Sequence, residues 1–456
     1  MVTRLFAPPT RPQRAWPALA LTIWLAVVSG SVSAQTPQLR PSPLVLDRVF
    51  MVVRHGIRAP LDHEAAAEQL ADGSWPRWQV ANSQLTPHGR ADVGLSGTYF
   101  RQWLIQQGLL PTHGCLASAR FRLNSNTDQR TIDSAQLLGQ ALLPGCDFTL
   151  EHQPLGSNDP LYRPVESGVI SFDPTTAINA IQRETHGLDH LVAQHRAEMV
   201  TLQNVLGCHQ RCPFATLPSS LLPSSDGRSL RLDGPINLTS GTAEVLLLQY
   251  VQGFAPQSVG WGRLTPTRLA QLSRLHGLLF DVYAHPHYMA THSAALLSRE
   301  LLKVLETKDP SSVPALSFFV GSDTQIAALS SVLGVHFHLP GFGIDDPSPG
   351  SALLVELWHQ RDSGQRFVRL RYVGQSPEQL RQATPLSLET PPAQQILHSS
   401  MCPRQPSPTL CPVTVLTSRL RRDLVPIDTT NQAAFSSQRP VLTAISPHSS
   451  SQTSAR

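Results

Sequence analysis

A histidine stands between two arginines in Arg54-His55-Gly56-Ile57-Arg58-Ala59-Pro60, an order suited to attack on phosphorus. An uncharged imidazole is a nucleophile, and guanidiniums one residue before it and three after it can grip phosphate oxygens through paired, coplanar N–H donors, as an ammonium cannot. A single arginine means little here, because the chain's only lysines are Lys303 and Lys308 and nearly every cation is written as arginine. The place of the cluster adds weight. It follows the apolar run Val49-Phe50-Met51-Val52-Val53, and ligand sites in α/β sheets lie beyond the carboxyl ends of strands.

Two further segments share this layout of strand, polar loop and helix. Phe121–Leu123 runs into Asn124-Ser125-Asn126-Thr127-Asp128-Gln129-Arg130 and then Ser134–Leu138, which sets Arg130 near a helix start. Leu316–Val320 runs into Gly321-Ser322-Asp323-Thr324 and then Ile326–Leu333. Strands alternating with helices predict an α/β sheet with flanking helices. Between residues 173 and 284 the pattern turns helical, with apolar spacings of three and four over Ala177–Leu206 and Ser240–Gln249. This predicts an inserted, mainly helical domain, interrupted at Pro218–Asp226 and at Gly260-Trp261-Gly262. The α/β domain is then discontinuous, 35–172 and 285–430, and the Ser, Thr, Gln and Pro-rich stretch 431–456 is expected to be a disordered tail.

The first 34 residues place Arg4, Arg11 and Arg14 before an apolar run, Ala18–Val28, and end in Val32-Ser33-Ala34, the layout of a cleaved secretory signal. The apolar run is short for a membrane span. The mature protein is therefore expected in the periplasm or secreted, with no membrane association. Without the leader's three arginines, 33 basic face 32 acidic side chains, a net charge of +1, which gives no electrostatic case for nucleic acid. Six cysteines in an exported chain read as three disulfides. About fifteen pairings are possible, of which the local one, 115–146, 208–212 and 402–411, is the simplest.

Other clusters read as structural. His336-x-His338 and His285-x-His287 each offer half a metal site but lack a carboxylate or cysteine at ligand spacing. Asp345-Asp346, set among Gly, Pro and Ser, is expected to be a solvated turn, and Gly341-Phe342-Gly343 lacks the context of a phosphate-cradling loop. No metal and no cofactor is expected.

From about Leu46 to Pro426 the chain resembles the histidine acid phosphatases, within them the enterobacterial periplasmic acid phosphatase/6-phytase and glucose-1-phosphatase branch. Arg54–Pro60 is similar to the signature Arg-His-Gly-x-Arg-x-Pro. Leu85-Thr86-Pro87-His88-Gly89, Asp128-Gln129-Arg130-Thr131 and Gly260-Trp261-Gly262-Arg263 resemble its other motifs. The resemblance implies a phosphoglycerate mutase-like fold and the pairing Cys115/Cys146, Cys208/Cys212 and Cys402/Cys411. A fourth disulfide of the branch is missing at both ends, near Ile170 and Ile427. It also implies that His55 attacks phosphorus to form a phosphohistidine, that Arg54, Arg58 and Arg130 bind the phosphate oxygens, and that Asp323 protonates the leaving alkoxide at acid pH, without metal. The implied partner is a small phosphomonoester, phytate or a sugar phosphate, met by a monomer.

One departure matters. The family's second signature is His-Asp, usually followed by Thr-Asn or Ser-Asn, and here it reads Ser322-Asp323-Thr324-Gln325. Loss of one oriented donor to phosphate costs roughly 3 kcal/mol, about a hundredfold in rate, unless replaced. Ser322 is the expected substitute donor, and His292, near a substrate-binding basic position of the branch, is a candidate to add charge. The rival reading is a phosphoryl-ligand binding protein that has lost efficient turnover; retention of Asp323, which a binder does not need, speaks against it.

Overall fold

A computed structural model describes residues 44–428, apart from 65–69, 209–210, 215, 310 and 404–408, together with residues 441–446. Strand β1 (Leu44–Arg54) is followed by α1 (Pro87–Gln106), β2 (Phe121–Ser125), α2 (Gln129–Leu142) and β3 (Phe148–His152). Helices then dominate: α3 (Pro174–Thr185), α4 (Leu188–Gln194), α5 (Arg196–Leu206), a hairpin of β4 (Ser220–Pro223) and β5 (Leu230–Asp233), α6 (Pro235–Val251), α7 (Pro266–Tyr283), α8 (His287–Ser293) and α9 (Ala295–Glu306). The chain returns through β6 (Leu316–Gly321), α10 (Asp323–Val332), β7 (Ala352–Gln360), β8 (Arg366–Gly374), α11 (Pro377–Gln382), β9 (Ala393–Leu397), β10 (Cys411–Pro412), α12 (Val413–Arg422) and β11 (Val441–Ile445).

The main sheet runs β10-β8-β7-β1-β6-β2-β3-β11, with β9 also paired to β8. Its centre, β1-β6-β2-β3, is parallel, and the flanking pairs are antiparallel. Val49–Val53 is apolar without alternation because both faces of β1 are covered. Phe50 and Val52 pack with Ile326 and Leu329 of α10 and Leu297 of α9. Val49, Met51 and Val53 pack with Val93 and Phe100 of α1 and Leu138 of α2. Leu202 of α5, Leu246 of α6 and Leu272 of α7 belong to the same apolar core as Phe50, so the helical segment is continuous in packing with the sheet.

The three local disulfides are formed: Cys115–Cys146, Cys208–Cys212 and Cys402–Cys411. Among the described residues no cysteine is free. Their role is structural and not part of the site. Cys146 is buried in the apolar core of α1 and α2, with Leu142 and Phe148. Its bond ties the exposed Cys115, on the connection from α1 to β2, to that core. Cys208 and Cys212 are both buried in the other core, with Leu202, Leu206 and Phe214, and their bond closes the turn that follows α5. A sulfur spent on a disulfide and packed among apolar side chains offers neither a nucleophile nor a metal ligand, so Cys146 and Cys212 act by holding loops to the core.

Ile170 and Ile427, near which the resemblance led us to expect a missing crosslink, meet in a small apolar cluster with Val165 and Ala295. The tail departs from expectation: Val441–Ile445 pairs antiparallel with β3, with Ile445 buried opposite Phe148. Thr443 and Ile445 turn to the covered face, and this two-residue alternation outweighs the polar composition around it. The expected leader, 1–34, lies outside the described residues, as do 429–440 and 447–456. Among the described residues no helix is long and apolar enough to cross a membrane.

One buried acid in α1 ties stability to pH. Asp92 is 2% exposed, and among the described residues neither carboxyl oxygen has a hydrogen-bond partner. His88 Nε2, at 3.4 Å, is also 2.7 Å from the Leu380 carbonyl oxygen. Burial pushes the Asp92 carboxyl from 3.8 up to about 8, against a smaller opposing effect of Gln375. Because the folded value lies above the unfolded one, ionisation of Asp92 destabilises the fold as pH rises from about 4 towards 8, and the penalty is absent below that window. Asp92→Asn is expected to stabilise the protein at pH 7 by on the order of 2–4 kcal/mol and to change it little at pH 4. Urea unfolding at both pH values checks this, and equal shifts at the two would contradict it.

Candidate active site

The site is assembled where parallel strands end. Arg54, last in β1, lies opposite Gly321, last in β6, and the His55 amide donates to the Gly321 carbonyl at 3.0 Å. Two glycines then lock α1 against this turn. A Cβ on Gly56 would lie 2.7 Å from Val93 Cγ2 and 2.8 Å from the Gly89 carbonyl oxygen, and one on Gly89 would lie 2.2 Å from the Ile57 carbonyl oxygen. Thr86 caps α1, accepting from the Gly89 amide at 2.9 Å while its hydroxyl donates to the Ile57 carbonyl at 3.2 Å. The Arg-His-Gly and Leu-Thr-Pro-x-Gly segments are thus two halves of one contact.

His55 is buried, with Nδ1 2.8 Å from the Gly56 carbonyl oxygen. A carbonyl oxygen only accepts, so Nδ1 carries the proton and Nε2 keeps its lone pair. Burial, then the charges of Arg130, Arg58 and Arg54, hold the imidazole well below its ordinary value. It therefore stays neutral in acid, the state that attack on phosphorus would require.

The three guanidiniums are already oriented by carboxylates. Arg54, fully buried, binds Glu244 and the Pro347 carbonyl, and its Nη2 lies 2.9 Å from Asp323 Oδ2. Arg58 forms a fork with Glu64, at 2.7 and 2.6 Å, and Glu64 Oε2 also accepts from the Leu61 amide at 2.8 Å. Arg130, in the first turn of α2, lies 3.2 Å from Asp128, which Arg163 holds at 3.0 Å. Among the described residues, Nε of all three has no partner. Buried donors left over on three cations suit an anion with several oxygens, and the N-termini of α2 and α10 add positive dipole ends.

Asp323 is the first residue of α10, and its Oδ1 accepts from the Thr324 amide at 2.8 Å. Burial favours its neutral form, but Arg54 and then His276 outweigh that and hold the carboxyl well below its ordinary value. The sequence suggests a protonated acid; beside Arg54 the group is held as a carboxylate. One ligand atom each of Glu244, His276 and Asp323 lies within 4.8 Å of the others, a spacing a metal ion could bridge. Arg54, bound to both acids, already supplies the positive charge there.

Ser322 does not present its hydroxyl as a free donor. Gln325 reaches back so that its Oε1 accepts from both the Ser322 amide and the Ser322 hydroxyl at 2.8 Å, while Gln325 Nε2 donates to the Tyr162 carbonyl at 3.0 Å. The pair closes a capping box on α10. His292 lies outside this cluster of charges: it stacks on Tyr288 at 3.8 Å, meets Phe172 edge-on, and is pushed below its ordinary value by burial.

The Asp345-Asp346 pair corrects another expectation. Both residues are buried, not solvated: Asp345 accepts from the Phe337 amide at 2.8 Å and pairs with His336, and Asp346 lies 2.7 Å from His276 Nδ1. Glu244 was likewise missed, although it is the sole charged residue in the otherwise apolar α6. The Gly260–Arg263 motif is structural: the Trp261 indole donates to the Ser74 carbonyl at 3.0 Å, and Arg263 lies 2.7 Å from Asp72.

Comparison with known proteins agrees with this geometry. Residues 45–212 match the histidine phosphatase superfamily (branch 2). The chain is 30% identical over 434 residues to phytase AppA of Escherichia coli strain K12, covering 90% of this chain and 98% of that one. It is 30% identical over 398 residues to the glucose-1-phosphatase of Salmonella typhimurium, covering 84% and 94%. The structure of Hafnia alvei phytase in complex with tartrate superposes with a TM-score of 0.79 at 29% identity, covering 85% of this chain and 99% of that one. Signature, fold and full-length similarity together place the chain in the histidine phosphatase superfamily, branch 2, to which it belongs.

Proposed function

We propose that this phosphoric monoester hydrolase works through a phosphohistidine on His55. The observation that carries the reading is a neutral Nε2 among three buried guanidiniums that each retain an unpaired donor. Below pH ~6 a phosphomonoester is a monoanion and brings its own proton. Its charge beside Arg54 raises the proton affinity of Asp323, which takes that proton. His55 Nε2 attacks phosphorus, the P–O bond to the organic group breaks, and Asp323 returns the proton to the departing alkoxide, giving the alcohol. Water then attacks the phosphohistidine while the Asp323 carboxylate accepts its proton, and inorganic phosphate leaves. Arg54, Arg58 and Arg130 stabilise the equatorial oxygens in both steps. Retention of Asp323 beside Arg54 favours turnover over mere binding of a phosphoryl ligand.

The substrate is a phytate or sugar-phosphate type of monoester. We also read the leader as an export signal to the periplasm or medium, the 173–284 segment as a helical domain beside the site, and the working form as a monomer. At pH 4.5 and without added metal, phosphate release from at least one of glucose 1-phosphate, p-nitrophenyl phosphate and phytate is expected. No release from any of the three by the folded protein would overturn the reading.

A further inference from the structure

His276 is a buried, titratable group that the reaction above leaves without a task. It is 5% exposed on α7, with Phe280 of the same helix edge-on to its ring at 5.1 Å. The groups facing it come from four other segments. Asp346, before β7, lies 2.7 Å from Nδ1, and Glu244 Oε2 of α6 lies 3.8 Å from it. Asp323, at the start of α10, is within 4.8 Å of the ring and of Glu244, and Arg54, at the end of β1, binds both of those acids. Ser273, one turn before His276, donates to the other oxygen of Asp346 and so fixes it. Glu244 Oε2 has no hydrogen-bond partner among the described residues.

These contacts leave two carboxylates, Glu244 and Asp323, converging on one guanidinium. An arginine saturated by two acids is a poor ligand for a third anion. At position 322 the side chain is a neutral hydroxyl, already donating to Gln325.

We propose that His276 is the positioning residue of this site: clamped by Asp346 as an imidazolium, it offsets Glu244 and Asp323 and so keeps Arg54 available to an incoming phosphate, in place of a cation at position 322. Burial alone would strip the ring of its proton, but Glu244 and Asp346 outweigh it and raise the group to about 9, so the charge persists throughout the acid range. The inference rests on the phosphatase reading, but its test does not need turnover.

The test measures dissociation constants for inorganic phosphate by calorimetry on the full chain at pH 4.5 and 7.5, each variant being compared with the unmutated protein at the same pH. His276→Gln is expected to weaken phosphate binding about tenfold or more at both pH values. Asp346→Asn removes the clamp, so the imidazolium loses its proton nearer the ordinary histidine range. Its binding is expected to stay within about twofold at pH 4.5 and to fall about tenfold at pH 7.5. Ser322→His added to His276→Gln is expected to recover part of the loss. A pH-independent defect in Asp346→Asn, a pattern that mere loss of packing would give, overturns the proposal, and so does unchanged binding in His276→Gln. Absence of turnover in a protein that shows the expected binding pattern would refute the hydrolase reading and leave this one standing.

Discussion

His55→Ala is expected to reduce phosphate release to the background rate, a loss on the order of 10⁴-fold or more in kcat, while the protein stays folded and still binds inorganic phosphate. The size follows from the chemistry. Without Nε2 there is no atom to form the intermediate, and the three guanidiniums can only hold the ester for attack by water. Removing the ring also removes a neutral group, so Arg54, Arg58 and Arg130 keep their carboxylate partners and the cavity keeps its charge. Steady-state assays at pH 4.5 with p-nitrophenyl phosphate, beside a phosphate-binding isotherm, check both halves. Residual turnover within tenfold of the unmutated protein would remove His55 from the reaction.

Arg54→Ala is expected to damage folding as well as catalysis. Its guanidinium is fully buried and joins Glu244, Asp323 and the Pro347 carbonyl. Deleting it strands two carboxylates in a low-dielectric setting, which costs roughly 3–5 kcal/mol. The pH dependence has a definite sign. Arg54 depresses the Asp323 carboxyl, and a group with a depressed folded value contributes stability above its unfolded value, 3.8, and loses it as pH falls. The deficit should therefore be larger at pH 6 than at pH 3, where protonation relieves the stranded acids. Urea unfolding at the two pH values reads it, and a deficit that grows in acid would show that Arg54 does not hold these carboxylates ionised.

Much of this candidate site is legible in the amino-acid sequence. His55, Arg54, Arg58, Arg130 and Asp323 each follow an apolar strand, and the carboxyl ends of adjacent parallel strands must come together, so the three polar loops could be grouped. What the chain order hides is which acids orient the arginines from elsewhere in the fold. Glu244 sits on a helix that reads as core, 190 residues from Arg54. Its one signal was a lone carboxylate in an apolar run, which needs a buried cation for a partner. Asp346 lay in a stretch whose Gly, Pro and Ser content suits a surface turn, and only the packing of α7 against that turn buries it. Ser322, read as a substitute donor to phosphate, turns out to be tied to Gln325 in a helix cap. The local cysteine pairing was open to inference from spacing, but that Cys146 and Cys212 anchor their loops inside two separate apolar cores depends on packing the spacing does not encode. At the C-terminus, composition argued for disorder, and pairing of residues 441–445 with the edge of β3 overrides it.

The most direct test of the central claim is to trap the intermediate. The unmutated protein and His55→Ala are mixed with an ester carrying a radiolabelled phosphoryl group, quenched within milliseconds in alkaline detergent, and digested. The account predicts label on the unmutated protein alone, stable in base, lost in acid as a phosphorus–nitrogen bond must be, and confined to the peptide that contains His55. Turnover with no protein-bound label, or label on another peptide, would contradict it.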